Sequence, residues 1–298
     1  MGALLGCMEL RDAAVTEAAV EAALEVGITT FDHADIYRDG GAEAAFGEVL
    51  AASPDLRQRI QIQTKCGIRR PQGDKPGRYD LRGESIMGAV KDSLERLRTD
   101  YVDLLLLHRP DPLGDPGEIA EALHSLQAQG LVRAFGVSNM SGDQIAHLQA
   151  RLELPLVANQ LEMSLYRRDW VEAGVLVNTP EAAANGFPLG TLEHCVDRGL
   201  ALQAWGPLAR GRYSGRPETD ADRTTAAVVA ALAEAKGTTP ETILLWWLQH
   251  HPAAIAPVIG TTNPARIRSC RDAVARRSGL SHEEWYELWV TARGAPLP

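Results

Sequence analysis

Four side chains of different chemistry stand where apolar runs give way to polar residues. Asp32 and Tyr37 follow the run Thr29-Thr30-Phe31; Lys65 closes Ile60-Gln61-Ile62-Gln63-Thr64; His108 closes Val102-Asp103-Leu104-Leu105-Leu106-Leu107. A run that breaks this way reads as a buried strand ending at a rim. An acid, a phenol, an amine and an imidazole at one rim have a coherent job. A phenol with a pKa near ~10 is a poor acid at neutral pH, and an adjacent ammonium is expected to stabilise the phenolate and lower that pKa. Asp32 would hold Lys65 charged and in place. Tyr37 would donate a proton to a developing alkoxide, and His108 a second hydrogen bond to the same oxygen. Such a site delivers a proton for carbonyl reduction. It contains no hydride source, so a nicotinamide cofactor is required.

Taken singly, a lysine at a strand end is more often a surface residue, and a histidine after four leucines a satisfied polar plug. Four such residues at three strand ends weigh more. Asp32, His33, Asp35 and His108 also spell a metal set. Metal-dependent barrel hydrolases usually offer two histidines at one strand end, and His33 has no such neighbour. His33 and Asp35 are therefore expected to flank the site or face a helix.

The elements that must position these residues alternate along the chain. Strands are expected at Leu4 to Cys7, Thr29 to Asp32, Ile60 to Lys65, Val102 to Leu107, Ala134 to Val137, Leu156 to Ala158, Ala201 to Ala204 and Ala256 to Ile259. Helical periodicity fills the gaps: Thr16 to Val26 with Thr16 as N-cap and Gly27 as stop, Gly41 to Leu50, Gly83 to Arg98, Glu118 to Gln129, Gly142 to Arg151, Leu189 to Arg198, Thr224 to Lys236, Pro240 to His250 and Pro264 to Ala275. Ser281 to Ala292 is an extra helix opening on a Ser-x-x-Glu capping box. Arg69 to Asp80 and Gly206 to Asp222 read as exposed loops, and Leu161 to Pro188 as a mixed segment. Eight strands in strict alternation with helices imply an α/β fold, a (β/α)8 TIM barrel with an additional C-terminal helix. No G-x-G-x-x-G follows a strand, which removes the main support for a doubly wound dinucleotide fold. At 298 residues the chain suits one barrel domain over residues 1–298, since such barrels run to about 250 residues or more.

The net charge of −9 argues against a nucleic-acid partner, which calls for a basic stripe. Cys7, Cys66, Cys195 and Cys270 form no C-x-x-C pair, so free thiols in a reducing cytosol are expected. No signal peptide is visible. Met1-Gly2 is not followed by Ser or Thr at position 6, where a myristoylation motif needs one. No run approaches a membrane span of about 18 apolar residues. A cytoplasmic protein with no membrane partner is the expectation.

Along nearly its whole length the chain resembles the aldo-keto reductases. The resemblance rests on Gly27-Ile28-Thr29-Thr30-Phe31-Asp32 through Tyr37; on Gly40-Gly41-Ala42-Glu43 with Gly47; on Thr64-Lys65; and on Ser93-Leu94-Glu95-Arg96-Leu97 with Thr99-Asp100-Tyr101-Val102-Asp103-Leu104 and Leu107-His108. It continues through Gly130-Leu131-Val132-Arg133, Gly136-Val137-Ser138-Asn139 and Asn159-Gln160. The resemblance implies a barrel that binds NADPH without a Rossmann fold and reduces a small aldehyde or ketone, with Asp32, Tyr37, Lys65 and His108 as its tetrad. Ser138, Asn139 and Gln160 match the residues that hold the nicotinamide carboxamide. Trp205, in Trp205-Gly206-Pro207-Leu208, matches the aromatic that stacks on the nicotinamide; Leu208, Arg210 and Gly211 match a loop over the pyrophosphate. Ile259, Gly260, Thr261, Thr262 and Arg266 match the segment that grips the adenosine 2′-phosphate, at a helix start that itself favours an anion.

There are departures. Gly260 stands where a lysine is frequent, Ser269-Cys270 where Glu-Asn is usual, and Gly206 where serine is common, so NADPH over NADH rests mainly on Arg266. Little chain precedes Leu4 to form the hairpin that plugs the barrel floor in many relatives. Leu165, Tyr166 and Trp170 are placed either to line a substrate pocket or only to pack on the barrel. Substrate and oligomeric state are not legible. The resemblance also admits a cofactor-sensing partner protein whose turnover is incidental.

Overall fold

A β-strand buried on both faces needs apolar residues throughout, and Val102–Leu107 is such a run. In the computed structural model, which describes residues 2–275 and 278–298, this segment is one stave of a closed barrel. Met1 of the Met1-Gly2 pair lies outside the described residues. The strands in chain order are β1 (Leu4–Gly6), β2 (Thr30–Asp32), β3 (Gln61–Cys66), β4 (Ile68–Arg69), β5 (Arg78–Tyr79), β6 (Val102–Leu107), β7 (Val132–Ser138), β8 (Leu156–Glu162), β9 (Ala201–Trp205) and β10 (Ala256–Ile259). β1, β2, β3, β6, β7, β8, β9 and β10 neighbour one another in that order, and β10 returns to β1. Every barrel pairing is parallel. The expected (β/α)8 barrel is the observed fold, and it carries the additional C-terminal helix.

The register decides which polar residues meet. Asp32 lies opposite Gln63, and Lys65 opposite Leu106. Ser138 faces Gln160, which faces Gln203. Inside the barrel, Leu4, Ala256 and Val258 form one apolar cluster and Leu104, Leu106 and Ala158 another. The main core fills the space between strands and helices. Gly136 permits the tight packing of β7: a Cβ there would stand 2.7 Å from both the Ala158 carbonyl oxygen and a Leu106 methyl.

Helix Gly83–Leu97 buries Ile86, Val90, Leu94 and Leu97 on one face, as its spacing predicts. The C-terminal helix His282–Arg293 opens on the expected capping box, with the Ser281 side chain accepting from Glu284 N and Glu284 reaching back to Ser281 N. It is fastened to helix Pro240–His250 by Trp285 stacked on Trp247, centroids 5.2 Å apart. Each indole N–H donates to the other residue's carbonyl, at 3.2 and 2.8 Å.

Several expectations need correction. The first helix spans Ala13–Val26, and its N-cap is Asp12, not Thr16. The Thr16 hydroxyl instead donates back to the Asp12 carbonyl. The stretch from Arg69 to Asp80 is not simply an exposed loop: β4 and β5 pair antiparallel, and Asp80 is buried. The helix expected from Pro264 to Ala275 breaks into Pro264–Arg268 and Arg271–Ala275. Leu161 to Pro188 carries the end of β8 and two short helices, Asp169–Val175 and Ala182–Asn185. Among the described residues no helix is long and apolar enough to cross a membrane.

Candidate active site

Parallel strands in a barrel all end at the same face, and loops there carry the chemistry of such folds. β2 ends on Asp32, β3 carries Lys65 next to its end, and His108 follows β6. Tyr37 begins a tight turn in which Arg38 and Asp39 adopt φ of 53° and 56°. These left-handed values cost about 1–2 kcal/mol for each non-glycine residue. An ion pair from Arg70 to Asp39 at 3.0 Å braces the turn.

The structure brings all four residues together. Lys65 is fully buried. Its Nζ lies 2.7 Å from both carboxylate oxygens of Asp32, 2.9 Å from the His33 carbonyl and 3.1 Å from the Tyr37 hydroxyl. The rings of Tyr37 and His108 meet edge to face, centroids 6.3 Å apart. Burial alone would lower the pKa of the Lys65 ammonium, but the Asp32 carboxylate and Tyr37 outweigh it, and Lys65 is held above its usual range. His108 is pushed down to about 3 by burial, with Lys65 and Arg109 adding to the effect, so its ring is neutral. Its Nδ1 is buried without a hydrogen-bond partner among the described residues.

One expectation holds only in part. Lys65 does pull the Tyr37 pKa down, but the net shift is upward. Burial raises it, and Asp32 adds to the rise. The carboxylate that fixes Lys65 also offsets its charge at the phenol.

The His33 ring faces a helix, one of the two placements expected for it. The His33 ring sits edge-on to Phe46 of helix Gly41–Ala52, centroids 4.6 Å apart, and burial pushes it down to about 3. Among the described residues no three His, Cys, Asp or Glu side chains gather into a metal-holding group. Cys7, Cys66, Cys195 and Cys270 are free and buried.

The residues matched to a dinucleotide line the adjoining strand ends. Ser138 ends β7, Gln160 lies on β8, Trp205 ends β9 and Ile259 ends β10. Asn139, at φ 57°, ties this group to the tetrad. Its amide nitrogen donates to the His108 carbonyl at 3.2 Å and to Ser138 Oγ at 2.8 Å, while the Trp205 indole N–H donates to its oxygen at 3.1 Å. Gly206 at φ 66° and buried Pro207 lead into a turn in which Arg210 and Gly211 take φ of 57° and 85°. Leu208 packs against the core. Thr261 and Thr262 are half-buried, and a side chain at Gly260 would meet nothing within 4 Å. Arg210 and Arg266 are exposed and make no ion pair among the described residues. The helix after Thr262 runs only from Pro264 to Arg268, and Asn263 caps it by accepting from Ala265 N and Arg266 N. The anion-favouring helix start is thus shorter and more satisfied than expected.

Sequence reasoning passed over Gln63 and Gln203. Both are fully buried, and the Gln63 amide donates to Asp32. Their signal was available: two glutamines at positions that strand alternation places inside a barrel. Leu165 and Trp170 are buried, and Trp170 packs against Trp247 and His251; the cavity that Trp170 lines, with Phe187, Leu192, Trp285 and Tyr286, includes none of the four tetrad residues. Tyr166 is exposed, with the Arg212 guanidinium 4.2 Å from its ring.

A parallel barrel carrying a buried lysine–carboxylate pair against a tyrosine hydroxyl defines a class of barrel with a proton-transfer rim. Residues 5–288 match the model of the aldo/keto reductase family, and the chain belongs to that family; it is an oxidoreductase. Two curated relatives cover most of it. One is a 6-dehydroglucose reductase of Agrobacterium fabrum, 39% identical over 283 residues, spanning 93% of this chain and 88% of the relative. The other is an oxidoreductase of Escherichia coli, 35% identical over 281 residues, 94% and 88%. Among solved structures, an aldo-keto reductase from Klebsiella pneumoniae in complex with NADPH superposes with a TM-score of 0.74 at 25% identity, covering 99% of this chain and 92% of its own.

Proposed function

We propose that this protein reduces the carbonyl group of a small polar molecule to an alcohol with NADPH, Tyr37 giving the proton, and that residues 1–298 work as one barrel domain. NADPH, when bound, supplies the hydride. Ser138, Asn139 and Gln160 would hold its carboxamide, Trp205 its ring, and Leu208, Arg210 and Gly211 its pyrophosphate. Arg266, without a carboxylate partner among the described residues, would meet the 2′-phosphate beside open Gly260 and the Thr261 and Thr262 hydroxyls.

The hydrogen-bond pattern around Lys65 carries the reading. An ammonium has three hydrogens, and here they go to Asp32, to the His33 carbonyl and to the Tyr37 oxygen. Tyr37 therefore accepts from Lys65, and its own hydrogen is directed elsewhere, toward a substrate oxygen at the mouth. The raised Tyr37 keeps its proton until charge develops on that oxygen. His108 serves as a neutral donor. With Nδ1 buried and unpartnered among the described residues, the tautomer protonated on Nε2 leaves no N–H unsatisfied, and that hydrogen bonds the same oxygen.

Relatives named 6-dehydroglucose reductase at 39% identity make sugar-derived aldehydes the first substrate class. Arg109, half-buried beside His108 and without an ion pair among the described residues, suits a polyhydroxylated or anionic molecule. A screen of aldehydes, ketones and sugars, following loss of NADPH absorbance, tests the reading. Turnover on sugar aldehydes is expected. Tight NADPH binding with no turnover on any carbonyl would contradict it and favour a cofactor-sensing role.

A further inference from the structure

Beneath the tetrad the barrel interior holds three glutamines: Gln63 on β3, Gln160 on β8 and Gln203 on β9, each at most 2% exposed. Their amides form a ring whose direction is set by one charge. The Asp32 carboxylate can only accept hydrogen bonds. The atoms of Gln63 and Gln160 that reach its Oδ1 must then be nitrogens, Gln160 Nε2 at 3.2 Å. Each of these nitrogens has a second hydrogen, and both go to Gln203 Oε1, at 2.9 Å each. Gln203 Nε2 closes the ring by donating to Gln63 Oε1 at 2.8 Å. Reversing any one amide would set oxygen against oxygen or nitrogen against nitrogen in a space closed to water.

The consequence falls on Gln160. Both of its N–H hydrogens are engaged, and its Oε1 takes no hydrogen bond among the described residues. We infer that Gln63 and Gln203 are positioning residues that hold Gln160 as an acceptor only, so that it selects the N–H end of the nicotinamide carboxamide. This rests on the proposed reading, in which Gln160 faces that carboxamide. The sequence places the ring in no motif; the barrel register assembles it from three strands.

The experiment compares binding of NADPH with binding of its 3-acetylpyridine analogue, in which a methyl replaces the amide nitrogen. Both are titrated by tryptophan fluorescence into wild type, Gln203→Leu and Gln63→Leu/Gln203→Leu. Wild type is expected to prefer NADPH by roughly tenfold, the worth of one well-placed hydrogen bond. In Gln203→Leu, Gln160 keeps only its longer, 3.2 Å bond to Asp32, so its amide is free to turn and offer an N–H to a ligand carbonyl, and the preference is expected to fall to within about twofold. The double variant removes two polar partners together, which limits the destabilisation of a half-satisfied amide, and is expected to show the same loss. A merely structural role would weaken both ligands alike; a preference unchanged in the variants, or no preference in wild type, overturns the inference. Wild type that binds neither ligand overturns the cofactor reading itself, and this inference with it.

Discussion

Asp35→Asn should change how stability depends on pH, in a direction opposite to that of most carboxylates. Asp35 lies in the loop between Asp32 and Tyr37, its backbone N–H donating to the Lys65 carbonyl at 3.0 Å. Its Oδ1 is buried with no hydrogen-bond partner among the described residues. Burial, then the nearby Glu43, push the carboxyl from an ordinary 3.8 up to about 7; Arg69 and Arg96 pull the other way without prevailing. Arg96 is engaged with Glu43, its Nε 2.8 Å from the Glu43 carboxylate. With the folded value above the unfolded one, the native state binds the extra proton. Asp35 thus contributes fully to stability below about pH 4 and loses that contribution as pH rises through 7. Between pH 5 and 7 the loss is two units, or about 2–3 kcal/mol. The asparagine does not titrate, so any constant cost of placing an amide there drops out of the comparison between two pH values. Relative to wild type, Asp35→Asn should gain about 2–3 kcal/mol on going from pH 5 to pH 8, read by urea unfolding at each pH. A stability difference that stays the same at both pH values would refute the reasoning.

Two further outcomes follow from the same geometry. Arg266→Ala should weaken NADPH roughly tenfold or more, since it removes a charge-assisted hydrogen bond worth about 1.5–3 kcal/mol, while the affinity for NADH stays within about twofold; equal losses for both would place Arg266 away from the 2′-phosphate. Because His108 titrates only near 3, it stays neutral across the working range, and kcat/KM should show no limb near pH 6.5 that disappears in His108→Gln. Such a limb in the pH–rate profile would mean that the imidazole is charged in use.

The barrel was legible because its strands are apolar runs that stop abruptly. Thr30-Phe31 breaks at Asp32, and Leu104 to Leu107 at His108, and a parallel barrel sends all such ends to one face. The Asp32–Lys65 pair followed from the same logic. The hairpin of β4 and β5 was not legible, because two residues on each side are too few for alternation to register amid arginine, proline and glycine. Thr16 looked like a cap because it precedes the apolar stripe, yet Asp12 offers the shorter carboxylate reach to Val15 N. The glutamine ring lay hidden because each strand shows only its own glutamine, and only the register between strands makes them neighbours. Tyr37 was misjudged for a physical reason: pairwise reasoning counted the ammonium and left out both burial and the carboxylate beside it.

The central claim is that Tyr37, accepting from Lys65, gives the proton to the substrate oxygen. Its most direct test is Tyr37→Phe, measured by single-turnover oxidation of bound NADPH with the best carbonyl substrate from the screen. The phenylalanine should slow that step by about 100-fold or more and leave the affinity for NADPH within about twofold. Transfer at the wild-type rate in Tyr37→Phe would contradict the account.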